Sequence, residues 1–168
     1  MIRSIHERTI NAPAQDLAPL LDGLGGEGDR LWPSERWVPM VLDRPLAVGA
    51  DGGHGAIRYR VVEYEPGRRV RFLFHRTTGI AGIHELSVEA LGERRCRVRH
   101  ILLGRAHGVM RLLFPVLVAP LHDAVIEDLL DKAERAATGG VRRPTRHPAW
   151  IRAWSRFEGR DGARGQGA

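Results

Sequence analysis

Cysteine is nearly absent from this chain. The 168 residues include one, Cys96, so no internal disulfide can form, and the reading that follows is a reducing, intracellular setting. Long apolar runs are missing too. The longest, residues 109–121, is interrupted by Arg111 and two prolines and falls short of the ~20 residues a membrane span requires. Met1-Ile2-Arg3-Ser4 lacks the apolar stretch of a secretion signal, which makes a cytoplasmic location the expectation. No repeat of solenoid length occurs. A Gly-Lys-Ser/Thr signature is also lacking: the glycine-dense run Gly49-Ala50-Asp51-Gly52-Gly53-His54-Gly55-Ala56-Ile57-Arg58-Tyr59-Arg60 leads into a strand pattern, not a helix. Phosphate and dinucleotide loops need a helix N-terminus behind their glycines, so both are excluded. What remains is a tight or mobile connection between strands, where something approaches the backbone closely.

Lysine is scarce as well, with Lys132 alone against 25 arginines, and the charge is unevenly spread. Residues 139–168 hold seven arginines, at 142, 143, 146, 152, 156, 160 and 164, against Glu158 and Asp161, a net +5 of the chain's +6. Residues 1–138 keep 19 basic and 18 acidic side chains, close to neutrality. Nucleic-acid binding by counterion release needs a clustered basic face, so the folded part is not a nucleic-acid module. The same asymmetry sets the organisation: one domain over 1–138 and an Arg-rich tail over 139–168, divided at Gly139-Gly140. A domain near this length buries roughly 68–70% of its extended-chain surface, enough for a core without staples.

Ser4 to Ile10 reads as a strand, and Pro13 suits the first turn of a helix running to about Leu21. A short strand over Met40–Leu42 precedes the glycine run. Ile57, Tyr59 and Val61 then share one strand face, with Glu63 in phase at its end, and Val70, Phe72 and Phe74 share a face of the next. A type II turn at Glu65-Pro66-Gly67-Arg68 pairs 65 with 68, which sets 61 opposite 72 and 59 opposite 74. In a second hairpin a two-residue turn at Gly92-Glu93 would oppose the apolar face to Arg95, Arg97 and Arg99. A turn one residue longer is therefore predicted, with 88 opposite 98, 86 opposite 100 and 84 opposite 102. His84 and His100 become inward-facing diagonal neighbours.

From His107 to Ala137 the period is helical. The part up to Leu121 is apolar almost all round, which predicts burial or a cavity wall, with Pro115 and Pro120 kinking or dividing it. Beyond it, Leu121, Val125, Leu129, Ala133 and Ala136 form a stripe opposite Asp123, Glu127, Asp131 and Glu134.

This order of strand, short helix, glycine-rich loop, antiparallel strands and long C-terminal helix resembles the helix-grip fold of the SRPBCC superfamily, over residues 4 to 138. The group includes START lipid-transfer domains, polyketide cyclase/dehydratase-like proteins and the birch pollen allergen family. Gly52-Gly53-His54-Gly55-Ala56-Ile57 is similar to the allergens' glycine-rich loop. The resemblance implies an α+β fold, a curved antiparallel sheet wrapped around the helix with an apolar cavity between them. It departs from the Rieske-oxygenase branch: no His/His/Asp iron set on a helix and no Cys/His cluster is found. No acid or base motif maps onto a characterised cyclase.

The expected cavity is lined by His54, Tyr59, Val61, Phe72, Phe74, Leu86, Val98, His100, Leu113 and Leu117. Its occupant would be a hydrophobic or aromatic small molecule, lipid-, polyketide- or quinone-like. His84, His100 and Tyr59 are the candidates for acid-base work, giving a cyclase/dehydratase-like enzyme as the alternative to a carrier. No metal spacing is diagnostic and no cofactor is called for. Glu63 reads as a solvated strand end, and His122 with Asp123 as surface or capping groups near the cavity mouth. Trp32 and Trp37 read as rim packing, and Cys96 as a small core residue. In the tail, Trp150, Ile151, Trp154 and Phe157 stand at helical spacing among arginines, a short amphipathic helix over 148–158. Such a helix lies on an anionic membrane, docks on a partner or its own domain, or stays disordered when free. The chain would be a monomer or homodimer, and removing the tail at Gly139 is expected to leave the fold intact.

Overall fold

The computed structural model describes residues 1–164. The period-2 segments of the sequence form a seven-stranded, wholly antiparallel sheet. Its strands are β1 (Ile2–Ile10), β2 (Val41–Leu42), β3 (Asp51–His54), β4 (Ile57–Glu65), β5 (Arg69–Phe74), β6 (Ile80–Gly92) and β7 (Arg95–Ala106), in the order β1-β7-β6-β5-β4-β3-β2. Helix α1 (Ala14–Asp22) follows β1, with Pro13 capping its start. After β7 come α2 (Met110–Leu113), a π-helical turn (Phe114–Val118), α3 (Ala119–Thr138) and α4 (Ala149–Arg164). The sheet curves around α3, the helix-grip architecture.

Both predicted hairpin cores form. Tyr59 pairs with Phe74 and Val61 with Phe72, while Val88, Leu86 and His84 pair with Val98, His100 and Leu102. Near the turns the register differs from expectation. Glu65 pairs with Arg69 rather than Arg68, and a bulge between Val61 and Glu63 takes up the extra residue. The bulge reverses the side-chain phase. Glu63 thus leaves the inward face and pairs with Arg69 and Arg71 outside. In the second hairpin the extra residue is a bulge between Ala90 and Gly92, so the tip pair is Gly92–Arg95.

The glycine run is likewise more ordered than a loop. Gly52 and Gly53 lie inside β3, and only Gly55 and Ala56 turn. What approaches the backbone is the sheet itself: a Cβ on Gly52 would stand 2.0 Å from the carbonyl oxygen of Val41, and one on Gly53, at φ 152°, 2.0 Å from that of Ile57.

Pro115 and Pro120 do not break the C-terminal helix. Their missing N–H groups and ring bulk are absorbed by winding Phe114–Val118 as the π-turn. This stretch is not wholly buried as predicted: Val109, Leu112, Leu113 and Val116 are exposed.

On α3 the acidic side, which an amphipathic helix normally turns to water, is largely covered. Ser4, His6 and Arg8 alternate on β1 and meet it rung by rung. Ser4 Oγ donates to Asp123 (3.2 Å), His6 lies between Asp123 and Glu127, and Arg8 reaches Glu127, Asp131 and Glu134 at 2.8–3.1 Å. The segment after Gly139 closes the remainder. Arg142 binds Glu134, the Thr145 N–H donates to Asp131 at 2.8 Å, and His147 meets Asp128 at 2.8 Å. Ile151 and Ser155 of α4 are buried. Buried carboxylates of α3 thus take part of their hydrogen bonding from the segment that the sequence marks as a separable tail. Residues 165–168 lie outside the described residues.

Candidate functional site

A cavity of about 280 Å³ lies between the inner sheet face and the C-terminal helix. Period-2 alternation delivers Tyr59, Phe72, Phe74, His84, Leu86, His100 and Leu102 to its floor. The π-turn and α3 supply Phe114, Leu117, Val118, Leu121, His122, Val125 and Leu129. The side wall comes from a loop without periodic pattern. Asp29 Oδ1 accepts the Leu31 and Trp32 N–H groups, Trp32 Nε1 donates to Val38 at 2.9 Å, and Trp37 Nε1 donates to Asp128 at 2.8 Å, so both indoles are held against the cavity. Trp154 of α4 and the Gly55-Ala56 turn also line it.

Polar groups in this largely apolar space fall in a row. Tyr59 and His84 have ring centroids 4.5 Å apart, His84 and His100 5.7 Å, and His100 and His122 5.1 Å. Phe72 and Phe74 stack on His84 at 4.7 and 4.9 Å. Four atoms in the row, Tyr59 Oη, His84 Nε2, His100 Nδ1 and His122 Nε2, are buried with no hydrogen-bond partner among the described residues. Burial holds His84 and His100 well below the ordinary histidine pKa, reinforced by His122, and brings His54 down to about 4. It also raises the Tyr59 phenol. At neutral pH His54, His84 and His100 are therefore neutral imidazoles and Tyr59 a protonated phenol, groups that can donate or accept a hydrogen bond but carry no charge.

A charged layer stands behind His122. Its Nδ1 is 3.3 Å from Asp123 Oδ1. The same carboxylate oxygen is 3.0 Å from His6 Nε2, and His6 Nδ1 is 2.7 Å from Glu127. Hydrogen bonds that His6 donates to Asp123 and to Glu127 raise its pKa to about 9, and Asp123 is lowered in turn by its bonds with His122 and His6.

Of the residues singled out in the sequence, His54, Tyr59, Phe72, Phe74, His84, Leu86, His100 and Leu117 meet in this cavity. Val61 and Val98 do not: both are buried away from the space, in the core. Leu113 does not either, being 39% exposed outside the wall. His122 belongs to the cavity wall rather than the surface. Its signal was present, because Val125 and Leu129 follow at +3 and +7 on one helical face. Trp32, Trp37 and Trp154 had no such signal, since loop and tail positions follow no period.

No family model matches this sequence, and no curated protein does. Solved structures do. CalU16 from Micromonospora echinospora is 15% identical, with a TM-score of 0.57 over 99% of this chain and 89% of its own. Norcoclaurine synthase from Thalictrum flavum, in complex with dopamine and hydroxybenzaldehyde, is 14% identical, with a TM-score of 0.54 over 77% and 84%. The di-domain ARO/CYC BexL of the BE-7585A biosynthetic pathway is 16% identical, with a TM-score of 0.58 over 81% of this chain and 46% of that one. At such identities the likeness is one of architecture: the chain shares the helix-grip fold of these structures.

Proposed function

We propose that the chain binds a compact aromatic or polycyclic molecule carrying carbonyl or hydroxyl groups. The observation that carries this is the row of four unpartnered polar atoms in an apolar cavity. A buried donor or acceptor left dry costs about 1–3 kcal/mol, and a ligand oxygen among them removes that cost. The volume stands just below the ~300–1,000 Å³ of typical ligand sites and suits a small ring system better than a two-chain lipid. The aromatic pair held by norcoclaurine synthase supports the same class of ligand. Native mass spectrometry of the purified protein, followed by fluorescence titration with 8-anilinonaphthalene-1-sulfonate, tests it. A retained small molecule or saturable one-to-one binding that H100L weakens supports the reading; neither retention nor saturable binding overturns it.

A second reading, acid-base catalysis in the manner of a cyclase or dehydratase, is favoured by one specific feature. His84 and His100 line the cavity and each keeps a buried nitrogen with no hydrogen-bond partner among the described residues, rather than tying it to the backbone. Neutral imidazoles at that position suit proton abstraction beside a carbonyl that Tyr59 polarises, and such groups contribute typically 10²–10⁴ in rate. Once a ligand is retained, conversion that H84Q slows by that factor distinguishes enzyme from carrier. The exposed apolar side chains also have a candidate partner. Trp150, Trp154 and Phe157 are exposed on α4 with Arg152 and Arg156, and Leu112 and Val116 are exposed before α3, a composition suited to an anionic membrane surface. Liposome sedimentation at low and high salt tests this contact, and salt-insensitive or absent partitioning overturns it.

A further inference from the structure

We infer that His6, His122 and Asp123 form a divalent-cation site behind the cavity wall, and that the ion decides which hydrogen-bonding group His122 presents to the cavity. The first part stands on geometry. Each residue offers one ligand atom, and the three atoms lie within 4.8 Å of one another. Asp123 Oδ1 is 3.0 Å from His6 Nε2 and 3.3 Å from His122 Nδ1. Around an ion with bonds of about 2.0–2.2 Å, neighbouring ligand atoms stand roughly 2.9–3.5 Å apart at octahedral to tetrahedral angles, the separation that both Asp123 contacts already have. Ser4 Oγ adds a fourth polar atom at the same point, 3.0 Å from His6 Nε2. Two imidazoles and one carboxylate suit a borderline ion such as Zn²⁺.

The surroundings are those of a supported metal ligand. His6 Nδ1 faces Glu127 at 2.7 Å, and Arg8 holds the other Glu127 oxygen at 3.1 Å, the carboxylate–histidine arrangement that fixes a ring for a metal on its other nitrogen. The Asp123 side chain is 50% exposed, which leaves a route for the ion and room for water to complete its shell.

The second part follows from tautomer chemistry and rests on the cavity being a ligand site. Without a metal, a neutral His122 ring that donates its Nδ1–H to Asp123 is left with an acceptor at Nε2, an atom that is buried with no hydrogen-bond partner among the described residues, on a residue of the cavity wall. A cation on Nδ1 displaces that proton, and the neutral ring then carries it on Nε2. The wall changes from acceptor to donor at one atom. A carbonyl ligand is then favoured over a hydroxyl that needs an acceptor.

The test uses the full chain, freed of any affinity tag and of metal by chelator dialysis. Zn²⁺ is titrated calorimetrically and Co²⁺ by visible absorption. One ion per chain is expected, with affinity falling more than about 100-fold in H6Q and H122Q, about 10–100-fold in E127Q, and unchanged in H107Q. Circular dichroism verifies that the variants fold. E127Q, which removes no ligand, keeps the assignment testable if a ligand variant does not. Absence of stoichiometric binding, or equal affinity in all variants, overturns the site. Nitrogen-15 NMR of His122 reads the coupling: Zn²⁺ must move the proton to Nε2, and an unchanged tautomer on saturation overturns that part. Neither readout depends on whether an organic ligand is found, so failure here is distinct from failure of the cavity reading.

Discussion

Single side chains hold the conflict between stability and function in this protein. Tyr59 places a hydroxyl in a space where none of the described residues offers it a partner. Tyr59→Phe is thus expected to raise the stability of the ligand-free chain, by up to about 1–3 kcal/mol in urea denaturation, while weakening capture of the fluorescent probe. A loss of stability would show that the hydroxyl is satisfied. The buried histidines predict a pH dependence with a definite sign. His54 has a folded pKa near 4, below its unfolded value of 6.5, so the unfolded chain binds more protons between the two. Stability should fall as pH drops through that window, by roughly 3 kcal/mol for His54 alone at about 1.4 kcal/mol per unit, and His84 and His100 shift in the same direction. His6, held protonated to about 9, is charged in both states there and stays silent. A urea midpoint that is flat from pH 6.5 to 4 would contradict this.

Elements were the most legible level, because hairpin registers follow from pattern. The 59–74 and 61–72 pairs, and the 84–102, 86–100 and 88–98 pairs, are where alternation puts them. The bulges were not legible, since Val62 and Leu91 are ordinary strand residues and only the fit of each turn to its strands expels them. That is why Glu63 was assigned the wrong phase. The glycine run shows the converse: its composition was plain, but whether it formed a loop or a strand depended on β2 and β4 closing on it. Gly53→Ala is expected to destabilise by roughly 2–4 kcal/mol, because the added carbon meets backbone and the φ of 152° is costly for alanine. A thermal melt within a degree of wild type would refute the tight packing.

Over the whole molecule, the segment after Gly139 acts as a strap. His147 and Trp37 share the Asp128 carboxylate, their side chains 7% (His147) and 5% (Asp128) exposed, so the strap is tied to a wall of the cavity. Truncation after Gly139 removes partners from Asp128, Asp131 and Glu134. It should cost about 3 kcal/mol in urea denaturation, and His147→Ala about 1–3 kcal/mol, because each carboxylate loses hydrogen bonds while Asp128 keeps Trp37 and Arg36, and Asp131 and Glu134 keep Arg8. Unchanged stability of the truncated chain would restore the view of a dispensable tail.

The sequence by itself determined the class of fold, most strand pairs, the long helix, and the inward placement of Tyr59, His84 and His100, because each follows from a period of two or 3.6 residues within one element. The tertiary structure alone decided what those periods meet. Ser4, His6 and Arg8 on β1 and the acids of α3 are more than a hundred residues apart, and their ladder exists only because the sheet curves around the helix. The Trp32–Trp37 wall, the strap on Asp128 and the place of His122 between cavity and charge were fixed in the same way. Each depends on the distance between two elements, which no local pattern encodes.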